Sequence, residues 1–253
     1  MKALIFQSFF FVLYTENTYF NTSKLDLNME NPFQQKILIG NLSDVERVAF
    51  YKKTYGHVAG GVLVFVLFEY LLLQSETIVN FMLSMTEGYK WLLMLGGFML
   101  ATNYAEGMAM KTTDKNMQYL AYGIYIFFEA LIFVPMLYIV TELMGPSGSE
   151  VLYQASIVTL ALFTGLSAAV LVTKKDFSFL KTGLTIGFFI AIGLIVAGAL
   201  FGFNLGLWFS VGMCLLAGGS ILYQTSNLVK TYGVEDYIPA ALGLFASLML
   251  LFW

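Results

Sequence analysis

Seven apolar stretches follow one another from residue 54 to the last residue, each near or above the roughly twenty residues that a helix needs to cross a bilayer. They cover residues 54–73, 90–110, 117–141, 151–173, 177–203, 205–227 and 235–253. Hydrocarbon offers backbone N–H and C=O groups no water, so a spanning segment must pair them internally, and uninterrupted apolar runs of this length do so as helices. The expected fold is therefore all-α, a polytopic membrane protein with seven transmembrane helices. Composition agrees: 58% of residues are hydrophobic and 11% charged, against about 25% charged in a soluble domain.

The N-terminal part reads differently. Lys2 precedes an apolar run over 3–14 that is too short to span, and no small-x-small cleavage site follows it. Met29 offers a second start, so residues 1–28 are expected to be a leader or a misread start. Residues 29–53 form a polar segment expected in the cytoplasm, and 54–253 form the seven-helix transmembrane domain. Ser43 and Glu46 have capping-box spacing, which predicts a helix start there that enters the membrane through Val45, Val48 and Phe50.

Orientation follows from the basic residues. Lys36, Arg47, Lys52 and Lys53 precede the first span; Lys111 and Lys115, then Lys174, Lys175 and Lys181, then Lys230 occupy the alternate connections. The opposite connections hold Lys90 with Glu76, Glu87, Glu142 and Glu150. This asymmetry predicts a cytoplasmic N-terminus and an external C-terminus. A net charge of −3 provides no global field for nucleic acid. One cysteine, Cys214, excludes an intramolecular disulfide framework, and one histidine, His57, excludes a His/Cys metal cluster.

Three carboxylates fall inside predicted spans: Glu69, Glu106 and Glu129. A charge at the bilayer centre costs at least ~2.5 kcal/mol, so each is a candidate functional acid. Glu69 and Glu106 lie toward span ends, where snorkelling to an interface explains them as well. Glu129, near the middle of the third span, is the strongest candidate. Asn103, Tyr104 and Asn227 could add neutral oxygens to a cation path, although inter-helix hydrogen bonds account for them equally. His57 is expected to touch headgroups or carbonyls, and Cys214 to be a buried small hydrophobe. Pro135 should kink the third span, and the GPSGS stretch after Met144 should be a flexible connection. Gly56 with Gly60, Gly183 with Gly187 and Gly198 with Gly202 have helix-packing spacing. A tight turn is expected over 202–206.

In the last two spans, Gln224 and Ser247 are polar side chains able to face each other. With Pro239 in the first turn of the last helix, Ser247 lies about 12 Å into the membrane and Gln224 about 7 Å, a mismatch of roughly 5 Å.

The stretches KTYGHVAGGVLVFVLFEYLLL, FFEALIFVPMLYI, ILYQTSN and EDYIPAALGLFASLMLLFW, with NPFQQ near Asn31, resemble the bacterial branch of the Bax inhibitor-1 family over residues 31–253. The resemblance implies a six-helix shell around a central C-terminal helix, in a bacterial inner membrane. It also implies a pH-sensitive calcium leak, latched by two aspartates that end helix six and lie in helix seven, with a basic residue in an early helix holding the closed form. The matching latch positions are Gln224 and Ser247, and the only arginine, Arg47, precedes the first span. Gln and Ser do not titrate as paired carboxylates do. A channel of this kind is expected to lack the di-aspartate switch and to rely on Glu129, with Glu69 or Glu106, to attract cations. Calcium enters as a permeant ion, with no cofactor and no fixed metal site.

The resemblance also points to a second function, a non-conducting regulator that binds a membrane-anchored ATP-dependent protease, here through residues 31–53. An enzyme is not expected: no serine stands in a nucleophile context with His57, and residues 235–253 contain no lysine for a retinal Schiff base.

Overall fold

The computed structural model describes residues 38–88, 90–202 and 204–253. The expected leader at 1–28, and residues 29–37 of the N-terminal segment, lie outside the described residues. Described elements are helical, apart from an isolated bridge between Leu38 and Gly233.

Helix α1 (Asp44–Leu73) begins at the predicted capping box, where the Glu46 N–H donates to Ser43 Oγ at 3.4 Å and the Ser43 N–H donates to Glu46 Oε2 at 3.0 Å. Its 30 residues make a rod of about 45 Å. The predicted first span, 54–73, is thus the C-terminal part of one longer helix whose first turns carry Arg47, Lys52 and Lys53. Its buried stripe runs through Phe50, Thr54, Val58, Gly61, Phe65, Glu69 and Leu72, three or four residues apart as a core-facing helix requires. Helix α2 (Glu76–Ser84) is a short element within the connection, capped by Ser75, and buries Val79 and Met82.

Helices α3 (Lys90–Lys111) and α4 (Lys115–Tyr138) pack closely against each other. Helix α4 starts at Asp114, whose carboxylate accepts the Asn116 N–H at 2.9 Å. The chain continues helically through Pro135 into a π-helical turn, Ile139–Leu143. Pro135 supplies no N–H to the ladder, and the wider turn begins four residues later.

The GPSGS stretch is not a flexible connection. Gly145 takes φ +61°, and Pro146 opens helix α5 (Pro146–Thr173), where its missing N–H is tolerated. A Cβ on Gly148 would stand 1.8 Å from the Val140 carbonyl oxygen, so that close approach requires glycine.

Helices α6 (Leu180–Phe201) and α7 (Gly206–Thr231) are joined by the predicted turn, with left-handed glycines at Gly202 (φ +72°) and Gly206 (φ +66°). Helix α8 (Tyr237–Phe252) ends the chain and starts with Pro239 in its first turn, as expected. The Asp236 carboxylate accepts the Gly233 N–H at 2.7 Å just before it.

Among the described residues, five helices are long and apolar enough to cross a membrane: Asp44–Leu73, Lys115–Leu143, Pro146–Thr173, Leu180–Gly198 and Gly206–Thr231. The other two expected spans correspond to α3, with 22 residues, and to α8, a shorter apolar helix of 16. Helix α8 is buried at every residue from 238 to 251 and packs against α1, α3, α4, α5 and α7. Helix α6 packs mainly on α7.

One expectation about packing holds in part and another fails. Gly187 meets Leu216 as its spacing suggests, whereas a Cβ on Gly56, Gly60, Gly183 or Gly202 would meet nothing within 4 Å, and Gly61 takes the contact with Tyr122 instead. Cys214 is exposed, because it lies off the stripe of α7 that faces the core (Ala217, Ser220, Ile221, Gln224).

Candidate functional site

The buried stripe of α4 runs through Tyr122, Tyr125 and Glu129, and that of α3 through Thr102 and Glu106. Because these helices pack together, the stripes turn Glu106 and Glu129 into the same interior, with Tyr125 one turn before Glu129. Glu129 is 0% exposed and Glu106 1%. Neither carboxylate oxygen of Glu106 has a hydrogen-bond partner among the described residues. An ionised carboxylate placed so costs several kcal/mol, roughly, unless a donor, water or a cation reaches it.

Helix α8 closes over this region with Phe245, whose ring packs edge-on against Tyr122 (5.8 Å), Tyr125 (6.3 Å) and Phe65 (6.4 Å). Edge-to-face contacts at these separations are the favoured aromatic geometry. Glu69 lies one turn beyond Phe65 on α1, 5% exposed and without a hydrogen-bond partner among the described residues. It is thus buried within the bundle and does not snorkel to an interface; the same holds for Glu106. Among the described residues, no three acids, histidines or cysteines converge as a metal site would require.

The sequence pairs Ser247 with Gln224; the structure gives it another partner. Ser247 Oγ lies 2.9 Å from Ser220 Oγ. Ser220 is one turn before Gln224, and that turn of about 5.4 Å absorbs the depth mismatch read from the sequence. Gln224 is buried farther along α7, beside a chain of hydroxyls in which Thr225 Oγ1 lies 3.4 Å from Tyr55 and 3.5 Å from Ser167. Ser220 and Tyr125 are the residues that sequence reasoning missed. Their only signal is position, since each falls on the core-facing stripe one turn from a residue already singled out.

Of the neutral candidates, Tyr104 is exposed, Asn103 donates to the Met99 carbonyl at 2.7 Å, and Asn227 is buried. None of them joins the acids.

The basic end of the bundle is tied together. Lys230 contacts the Asp176 carboxylate and donates to Ser178 Oγ at 2.9 Å. The Lys230 ammonium, helped by the Ser178 N–H and hydroxyl, holds the Asp176 carboxyl well below the usual carboxylate range. Lys115 pairs with Glu235 at 3.3 Å and lies 4.1 Å over the ring of Tyr237, the first residue of α8. His57 Nδ1 donates to the Lys53 carbonyl at 2.7 Å, and Nε2 meets the Tyr119 hydroxyl at 2.8 Å. The expected carbonyl contact is present, and an aromatic partner joins it. The Ile39 N–H donates to the Tyr232 carbonyl at 3.0 Å, and Arg47 donates to the carbonyls of Ile39 and Gly40. Arg47 thus fastens the N-terminal turn to the start of α1, and the Ile39 N–H fastens the same turn to the α7–α8 connection.

A bundle of long apolar helices enclosing acids and hydroxyls defines an α-helical, multi-pass membrane protein. Residues 47–253 match the family model described as inhibitor of apoptosis-promoting Bax1, and the chain belongs to this Bax inhibitor-1 family. It is 40% identical over 108 residues to an uncharacterized protein of Pseudomonas aeruginosa, a match covering 42% of this chain and 48% of that one. It is 35% identical over 109 residues to an uncharacterized membrane protein of Vibrio cholerae, covering 42% and 48%. Protein lifeguard 4 of Mus musculus is 35% identical over 103 residues, covering 39% and 42%. The chain spans about half the length of the curated relatives it matches. No solved structure matches it.

Proposed function

We propose that this protein is a calcium leak path of a bacterial inner membrane, with seven spans, six of them a shell around α8, and with its basic end in the cytoplasm. The observation that carries this reading is the burial of Glu106 and Glu129 in the same interior, with Tyr125 beneath Phe245 of the last helix. Acids in such a place are expensive and gain most from a cation that passes them. Helix α8 acts as the plug, and its displacement uncovers the acids. The contact between Ser220 and Ser247 replaces the paired aspartates of the family's latch, so the leak is insensitive to pH near neutrality. The test is calcium uptake into liposomes at pH 6 and pH 8, with Glu129→Gln beside the parent. Equal flux at both pH values that is lost in the variant supports the proposal; absence of flux from a well-folded parent removes it.

The second reading is a regulator that restrains a membrane-anchored ATP-dependent protease. It draws support from Val45 and Val48, 80% and 49% exposed on the first turns of α1, where that helix emerges from the bundle. Co-purification of a protease that disappears on changing both valines to Ser favours this reading.

A further inference from the structure

A groove of about 450 Å³ runs between α1 and α4 on the outside of the bundle, toward its basic end. Gly56, Gly60 and Gly123 form its floor, and a Cβ on any of the three would meet nothing within 4 Å. Glycine is the least favourable ordinary residue inside a helix after proline, and close helix packing is its usual justification in membranes. These three have no packing neighbour, so another occupant has to account for the open trench.

The mouth of the groove is cationic. Lys52 and Lys53 line it and both are exposed. Lys53, Gly56 and Gly60 stand three and four residues apart, which places them along one stripe of α1. No acid lines the groove. Of the acids at this end of the bundle, Asp44 pairs with Arg47 and Lys174, Asp176 with Lys230 and Glu235 with Lys115, while Glu46, Asp114 and Asp236 accept backbone N–H groups. Lys52 makes no ion pair among the described residues, and Lys53 lies 5.1 Å over the ring of Tyr237. Tyr119, half-exposed at the same level, has the amphipathic character of a residue at the membrane interface.

We infer that this groove binds one phospholipid with a net negative headgroup. Its phosphate sits at Lys52 and Lys53, and one acyl chain lies over Gly56, Gly60 and Gly123. A zwitterionic lipid fits the trench equally well but leaves the two ammonium groups without a net counter-charge. A free phosphate matches the lysines and leaves the trench unfilled. Through the contact between Lys53 and Tyr237, the bound headgroup lies beside the start of α8.

The test is thermal unfolding of the full-length protein in detergent, with phosphatidylglycerol, phosphatidylcholine or glycerol phosphate added. The parent is compared with Gly60→Leu and with the double variant Lys52→Gln, Lys53→Gln. Phosphatidylglycerol is expected to raise the unfolding midpoint of the parent, phosphatidylcholine to raise it less, and glycerol phosphate to leave it unchanged. In the lysine variant the concentration of phosphatidylglycerol needed should rise on the order of 10-fold. Gly60→Leu, with both lysines present, should abolish the shift; if that variant does not fold, Gly56→Leu supplies the same comparison. An equal response to phosphatidylglycerol in parent and variants overturns the inference. So does an equal shift from glycerol phosphate, which would mean that the trench takes no part.

Discussion

Ser247 in the last helix and Ser220 in the helix before it are joined hydroxyl to hydroxyl at 2.9 Å, deep in the bundle. Ser247 donates onward to the Gly243 carbonyl at 3.2 Å, so Ser220 is the donor between the two serines. Neither group titrates near neutral pH, and the link between α7 and α8 survives wherever the bundle does. The positions that the resemblance matches to the family's paired aspartates are Gln224 and Ser247, so Ser247 is shared and Ser220 stands one turn before the other.

If the chain conducts as proposed, carboxylates placed at the observed contact should introduce a pH response. The double variant Ser220→Asp, Ser247→Asp puts two acids at a contact of 2.9 Å. One shared proton then holds the helices together, and losing it sets two like charges against each other. Calcium flux in liposomes should accordingly be higher at pH 8 than at pH 6, by about 10-fold for a coupling near 1.4 kcal/mol. Gln224→Asp with Ser247→Asp, one turn out of register, should respond less. Equal responses from the two variants would show that the contact is not the latch.

The buried acids make a graded prediction. Glu129→Gln and Glu106→Gln each keep shape and remove charge at the Tyr125 region, and each should lower flux about 10-fold or more, given the cost of moving a cation past a neutral site in hydrocarbon. Tyr125→Phe should lower it less, because it removes an oxygen and no charge. Glu69→Gln should matter least, since Glu69 lies a turn beyond Phe65, away from that region. The order of the four fluxes is the measurement, and a dominant effect from Glu69 would relocate the path.

Much of the fold could be read from the chain because lipid simplifies the problem: apolar length alone marks a span, and basic residues mark an end. The capping box at Ser43 and the turn glycines at 202 and 206 were legible for the same local reasons. What escaped depends on how helices meet. Ser220 follows Gly218 and Gly219 with no spacing that singles it out, and it is a partner of Ser247 only because α7 and α8 meet at a common depth. Gly56 and Gly60 carry packing spacing yet face outward, while Gly61, one residue on, takes the close contact. A rotation of 100° between neighbours decides which glycine packs, and spacing cannot supply it. The helical start of α5 at Pro146 was hidden by turn-forming residues that also suit a first helical turn.

The clasp at the basic end should not respond to pH in the physiological range. The folded pKa of Asp176 lies below its unfolded value, so the stabilisation is complete above about pH 4 and is lost only as pH falls through the folded value. Between pH 5 and pH 8, hydrogen exchange of residues 174–180, corrected for intrinsic rate, should stay level. Asp176→Asn should raise it at every pH in that window by freeing Lys230 and loosening the Phe177 N–H that donates to Ser226 Oγ at 3.0 Å. Exchange that climbs on going from pH 8 to pH 5 in the parent would contradict this account.

Adjacent glycines on α1 give the sharpest test of packing. A Cβ on Gly61 would stand 2.1 Å from the Tyr122 hydroxyl oxygen and 2.8 Å from the ring carbon bearing it. Tyr122 is buried and donates to the His57 carbonyl at 3.1 Å, so its hydroxyl has little room to move aside. Gly61→Ala should therefore destabilise the bundle by about 1–3 kcal/mol, the usual cost of overpacking. Gly60→Ala, beside it, meets nothing within 4 Å and should be neutral or stabilise by up to about 1 kcal/mol through helix propensity. Adding Tyr122→Phe to Gly61→Ala removes the nearer of the two clashing atoms, so the pair should cost less than the sum of its single changes. Unfolding midpoints in detergent decide the matter: equal stabilities of Gly60→Ala and Gly61→Ala would mean that α1 is rotated away from the contact that brings it against α4.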